Sequence, residues 1–113
     1  MKPIKITFDN AEIRLISAIL DQSTDLIEKA RQRFSNTPDQ SRYSAIIMQL
    51  FSSIVEEMEK RFLVKKRASS YNASLKVHEA VVLFVLLVVT EQEGIFNQSL
   101  CRLMIGKLEP KLN

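Results

Sequence analysis

At 113 residues the chain fits one domain, 1–113, and a composition of 46% hydrophobic and 26% charged residues excludes a largely disordered polymer. Two glycines and three prolines leave few chain breakers, which favours long helices over many short strands. Sixteen basic against thirteen acidic residues, net +3, permits contact with nucleic acid without demanding it, and a single cysteine excludes an intrachain disulfide.

The first segment alternates. Ile4, Ile6 and Phe8 are separated by Lys5 and Thr7, the period of a strand with one apolar face, so a strand is expected over residues 3–8. Asp9 then offers an N-cap, and Glu12 three positions on completes a capping box. Phe8 and Ile13 take the two positions of a hydrophobic staple. A first helix follows, expected to reach about Phe34, because Ile13, Ile16, Leu20, Ser23, Ile27, Ala30 and Phe34 alternate steps of three and four. Leu15, Ile19 and Leu26 widen that stripe to the breadth of a helix packed in a core, and Asp25 and Lys29 form an outer pair one turn apart.

Ser35-Asn36-Thr37-Pro38 reads as a loop, with Thr37 as N-cap, Pro38 at the first helical position and Gln40 closing a second capping box. The second helix is expected to run to about Lys66. Its ridge is Ile46, Leu50, Ile54, Met58 and Phe62, flanked by Ile47, Phe51 and Val55. The pairs Glu56–Lys60 and Glu57–Arg61 mark the solvated side. So short a loop makes the first two helices antiparallel neighbours. Met48, Met58, Met104, Phe51 and Phe62, at helical spacing, are read as core.

Beyond the connection Arg67–Asn72, Leu75 and Val77 alternate with Ser74 and Lys76, an echo of Ile6 and Phe8. Both stretches then reach a polar pair and an alanine, Asp9-Asn10-Ala11 and His78-Glu79-Ala80. The echo predicts a second strand over residues 73–77 that pairs with the first; a helix starting near Asn72 is the alternative. Residues 80–89 are apolar without a break. Their valines favour a strand by propensity, but a stretch from about 79 to 93 is too long for one. Gly94 suits the left-handed position that ends a helix, and Ile95 suits the accompanying hydrophobic contact. A third helix is therefore expected, then a fourth capped by Asn97, with Leu100, Leu103, Met104 and Leu108 inward and Pro110 at its end. The fold class is mainly α: a four-helix bundle-like domain with a short two-stranded β element at residues 3–8 and 73–77.

The sequence carries no C-x-x-C, no H-E-x-x-H and no glycine-rich phosphate loop, and one histidine with one cysteine cannot build a protein-only zinc site of the usual kinds. No cofactor, metal or small-molecule substrate is implied. His78 and Glu79 are the one adjacent acid–base pair, but neighbouring helical positions do not face each other. Glu79 is better explained by the positive end of a helix dipole. Cys101 in apolar surroundings would hold its proton, which argues against a nucleophile. The run 80–89 is about half of what a helix needs to span a bilayer, and Met1–Ile6 shows no apolar signal region, so a cytoplasmic, soluble protein is expected.

Lys60, Arg61, Lys65, Lys66 and Arg67 place five positive charges in eight residues at the end of the second helix, with Tyr71 close by. They suit contact with nucleic-acid phosphates. They equally suit a helix C-terminus, partly neutralised by Glu56, Glu57 and Glu59, and that plainer reading has more behind it because no base-reading helix is visible. The leading functional expectation is a non-enzymatic helical interaction module that forms a homodimer, since a helix apolar all round is hard to cover with four short elements. The alternative is a nucleic-acid-associated accessory protein that uses the cluster at 60–67.

Overall fold

The computed structural model describes residues 2–26, 28 and 38–112, with side chains from Gln49 onward in the last stretch. It is mainly helical with a small two-stranded antiparallel sheet. In chain order the elements are β1 (Ile4–Asp9), α1 (Asn10–Asp21), α2 (Pro38–Val64), β2 (Ser70–Leu75), α3 (Val77–Glu93) and α4 (Gln98–Leu112). After a turn at Gln22 the chain is helical again over 23–26.

The ribbon forms because the strand pattern and the turn chemistry agree. β1 pairs with β2 from Ile4 opposite Leu75 to Asp9 opposite Ser70. Ile6, Phe8, Ala73 and Leu75 are buried on one face, while Lys5, Thr7, Asn72 and Ser74 are exposed on the other. The expected pairing of the two strands is therefore present, but β2 begins three residues and ends two residues earlier than 73–77 suggested. Val77 belongs to the helix: Leu75 closes the strand, and Lys76 in extended conformation already caps α3.

Helix starts follow the capping chemistry. Asp9 accepts from the Glu12 N–H at 2.9 Å, and the Asp9 N–H donates to Glu12 Oε1 at 3.0 Å. At α3 the same reciprocal device is half present: the Lys76 N–H donates to Glu79 Oε1 at 2.8 Å, while lysine has no acceptor to return. Asn97 Oδ1 accepts from the Leu100 N–H and opens α4. Gly94 ends α3 with φ of 65°, and its N–H donates to the Thr90 and Glu91 carbonyls.

Several expectations need correction. The first helix is interrupted at Gln22, whose backbone departs from helical geometry, although Ser23 and Leu26 beyond it remain buried. Leu50 is 59% exposed although it lies on the expected α2 ridge, which becomes buried only from Val55 onward. On α4, Met104 and Leu108 are buried as expected and Leu100 packs partly buried against the core, but Leu103 is 56% exposed and Cys101 joins the inner stripe in its place. Ile95 is exposed rather than packed as a cap contact. Pro110 does not stop α4, which continues to Leu112. The Asp25–Lys29 pair, the seam positions Ile27, Ala30 and Phe34, the Thr37–Gln40 capping box, and the side chains of Ile46, Ile47 and Met48 lie outside the described residues.

The core holds the inner face of the ribbon against α1, α2, α3 and α4. Phe8, Phe62 and Tyr71 stack in series, with ring centroids 5.8 and 5.3 Å apart and the second pair edge-on. The apolar run of α3 is enclosed by its own chain: only Val81 among residues 80–89 is exposed. The two halves also repeat each other. A rotation that carries Ile6 onto its pairing partner Ala73 carries Thr7 to Ser74, Phe8 to Leu75, Asp9 to Lys76 and Glu12 to Glu79. It also maps the register onto itself, since Ile4 opposite Leu75 becomes Tyr71 opposite Phe8. Ile13, Leu15, Ile16, Ile19 and Leu20 fall on Ala80, Val82, Leu83, Leu86 and Leu87, all buried. Among the described residues the buried polar groups are Glu12, Ser23, Glu79 and Thr90, two pairs related by that same step. In the second helices Val55, Met58 and Phe62 match Cys101, Met104 and Leu108, again all buried. Over the described residues the burial pattern thus repeats in two halves joined through one ribbon.

Candidate nucleic-acid interface

The outward face of the ribbon is polar because a two-residue period leaves every second strand residue pointing away from the core. Lys5 lies opposite Ser74, and Thr7 opposite Asn72. The Thr7 hydroxyl donates to Asn72 Oδ1 at 2.8 Å, which ties the two strands together on that surface. Lys107 and Lys111 of α4 line the same shallow depression as Lys5, Thr7, Asn72 and Ser74. Lys2 and Lys111 border its continuation. On the other flank a second depression is lined by Lys60, Arg61, Val64, Lys65 and Tyr71. The Lys65 ammonium lies 5.6 Å from the Tyr71 ring centroid, in cation–π range.

Two carboxylates sit beneath this surface. Glu12 is fully buried, and Lys107 Nζ donates to its Oε1 at 2.8 Å and to the Thr7 carbonyl at 3.4 Å. Glu79 is equally buried. Arg61 donates to it and, at 3.4 Å, to the Ser74 carbonyl. Thr7 and Ser74 exchange under the internal rotation, as do Glu12 and Glu79, so Arg61 and Lys107 are counterparts. Each fastens a second helix to the start of the opposite half's first helix. In both pairs one partner is buried and hydrogen-bonded while the other reaches solvent, which lowers the desolvation cost. Glu12 Oε2 has no protein partner.

These contacts divide the basic cluster expected from the sequence. Arg61 is held inward by Glu79. Lys60, Lys65, Lys66 and Arg67 are exposed where α2 passes into β2. Asn10 Nδ2 donates to the Lys66 and Ala68 carbonyls at 3.2 and 2.6 Å, so this turn is fixed to the start of α1 rather than left loose. Sequence reasoning named this flank and missed Lys2, Lys5, Lys107 and Lys111 on the other side, as well as Thr7, Asn72 and Ser74 between them. Alternation around Lys5 and Thr7 was the available signal; the approach of α4 was not visible.

The other candidates separate. His78 is exposed, whereas Glu79 turns into the core, so they form no acid–base pair. The Cys101 thiol is buried, and burial first, with Glu91 second, pushes its pKa up, which suits a packed thiol. Among the described residues no group of three or more His, Cys, Asp or Glu is placed to hold a metal, and no helix is long and apolar enough to cross a membrane. No family model, no curated protein and no solved structure matches this chain.

Proposed function

We propose that the chain is a non-enzymatic nucleic-acid-binding protein that grips duplex DNA with the outward face of its β ribbon. One observation supports this most: the ribbon presents Lys5, Thr7, Asn72 and Ser74 outward as one polar surface with lysines on both flanks. A two-stranded ribbon is one of the two protein elements that the major groove of B-form DNA admits, and hydroxyl, amide and ammonium groups are what its base edges bind. Lys2 and Lys111 on one side, and Lys60, Lys65, Lys66 and Arg67 on the other, would meet the phosphates that border the groove. Lys107 and Arg61 are occupied by the buried glutamates and serve as positioning residues. On this reading the four helices form a bundle-like support for the ribbon.

The test is a titration of wild-type protein with labelled duplex DNA at several salt concentrations. Four to six phosphate contacts give a slope of log affinity on log salt of about −4 to −5. The double variant Lys65→Glu/Lys111→Glu should bind at least about tenfold more weakly and show a shallower slope, with unchanged circular dichroism. No salt-sensitive binding by the wild type at low salt would reject the proposal.

A second reading, the self-associating interaction module, draws on Val64, 81% exposed, beside exposed Leu63 at the end of α2. Within one chain the apolar run keeps only Val81 exposed, with Phe84, Val85 and Val88 partly buried, which weakens the argument for a partner on that face. Light scattering at micromolar concentration separates the readings: a free dimer favours the module, and a free monomer favours the ribbon.

A further inference from the structure

We infer that one chain, acting alone, reads a single non-palindromic duplex site, with the specificity carried by the unlike residues Lys5 and Asn72; this rests on the duplex-binding reading above. Operator symmetry mirrors protein symmetry: a ribbon built from two identical chains presents the same residues to both halves of a site and selects an inverted repeat. Here the buried ion pairs obey the internal rotation and the reading surface does not. The buried glutamates, the cations that hold them and most buried positions of α1 to α4 match between halves, the exceptions being Val89 against exposed Gln22 and Leu26 against Glu93. Lys65 and Lys111 match as well, each one turn beyond the ion-paired cation of its helix. Backbone phosphates carry no sequence information, so the flanking cations fix register without choosing bases.

On the outward face Thr7 exchanges with Ser74, which retains a hydroxyl, but Lys5 exchanges with Asn72. These two side chains prefer different bases. A lysine ammonium donates to the O6 and N7 acceptors of guanine. An asparagine amide donates to adenine N7 and accepts from its N6 amine. The hydrogen bond from Thr7 uses one lone pair of Asn72 Oδ1 and orients the amide, leaving the second lone pair and the Nδ2 hydrogens for a base edge. A site with guanine in one half and adenine in the other is the expected complement.

Selection of wild-type protein on a randomised duplex DNA library, with sedimentation of the complex, tests this. The expected motif is short and non-palindromic, with one chain bound per site. Asn72→Lys should turn it into an inverted repeat with guanine in both halves, and Lys5→Asn into one with adenine in both. Each variant should also lose about tenfold affinity for the wild-type motif. Both positions are exposed, and circular dichroism checks that the fold is retained. A palindromic wild-type motif, two chains per site, a motif indifferent to both substitutions, or binding with no motif at all would overturn the inference while leaving duplex binding standing. Absence of binding to every duplex would overturn both.

Discussion

Lys107 and Arg61 show how one cation can serve stability and leave the surface for other work. Each neutralises a buried carboxylate that also caps a helix, so removing the cation leaves a charge stranded under the ribbon. Arg61→Ala and Lys107→Ala should each destabilise the fold by about 2 kcal/mol, below the range for fully buried pairs because both cations touch solvent. Glu79→Gln should cost less, since the neutral amide can still accept from the Lys76 N–H. Urea midpoints of the three variants check the order; an equal loss for all three would show that the charge is not the cause. None of these pairs could be read from the sequence. Glu12 and Lys107 are far apart in the chain, and a capping glutamate looks the same whether or not a cation covers it.

Elements were legible where local chemistry decides them. The Asp9–Glu12 box, the Gly94 stop and the Asn97 cap are short-range devices, and all three are present. Phase and reach were less legible. Leu103 and Leu50 lie outward because a helix's buried face is chosen by its neighbours, not by its own period. Placement of β2 depended on Leu75 ending the strand, which Val77 disguised by continuing the alternation into the first helical turn. Gly94→Ala tests the element scale. At φ of 65° a side chain is strained, and a Cβ there would lie 3.3 Å from Gln98 Nε2. Loss of about 1 kcal/mol is expected, read as a lower thermal midpoint. Gly106 has open space at its Cβ and makes the control, where alanine should be neutral or stabilising.

At the scale of the molecule, each half contributes one strand to the sheet and one cation to the other half's buried glutamate. Neither half encloses its own apolar face, so the chain should unfold as one unit. Cys101, buried in α4 of the second half, reports on this: its labelling by a thiol reagent in urea should track the loss of helix signal throughout. Labelling well before the helix is lost would show that the halves come apart separately. The run 80–89 pointed to a buried centre and, by its excess, to a partner chain. The first implication holds, with α4 of the same half as the main cover and α1 and α2 adding to it. By itself the sequence determined the mainly helical class, the strand pairing and the helix caps, because alternation and capping act over a few residues. Only the tertiary structure decided that the halves repeat, that Arg61 and Lys107 are spent on buried glutamates, and that Lys5, Thr7, Asn72 and Ser74 share one surface. Those facts depend on which distant segments meet, and a linear pattern carries no record of that.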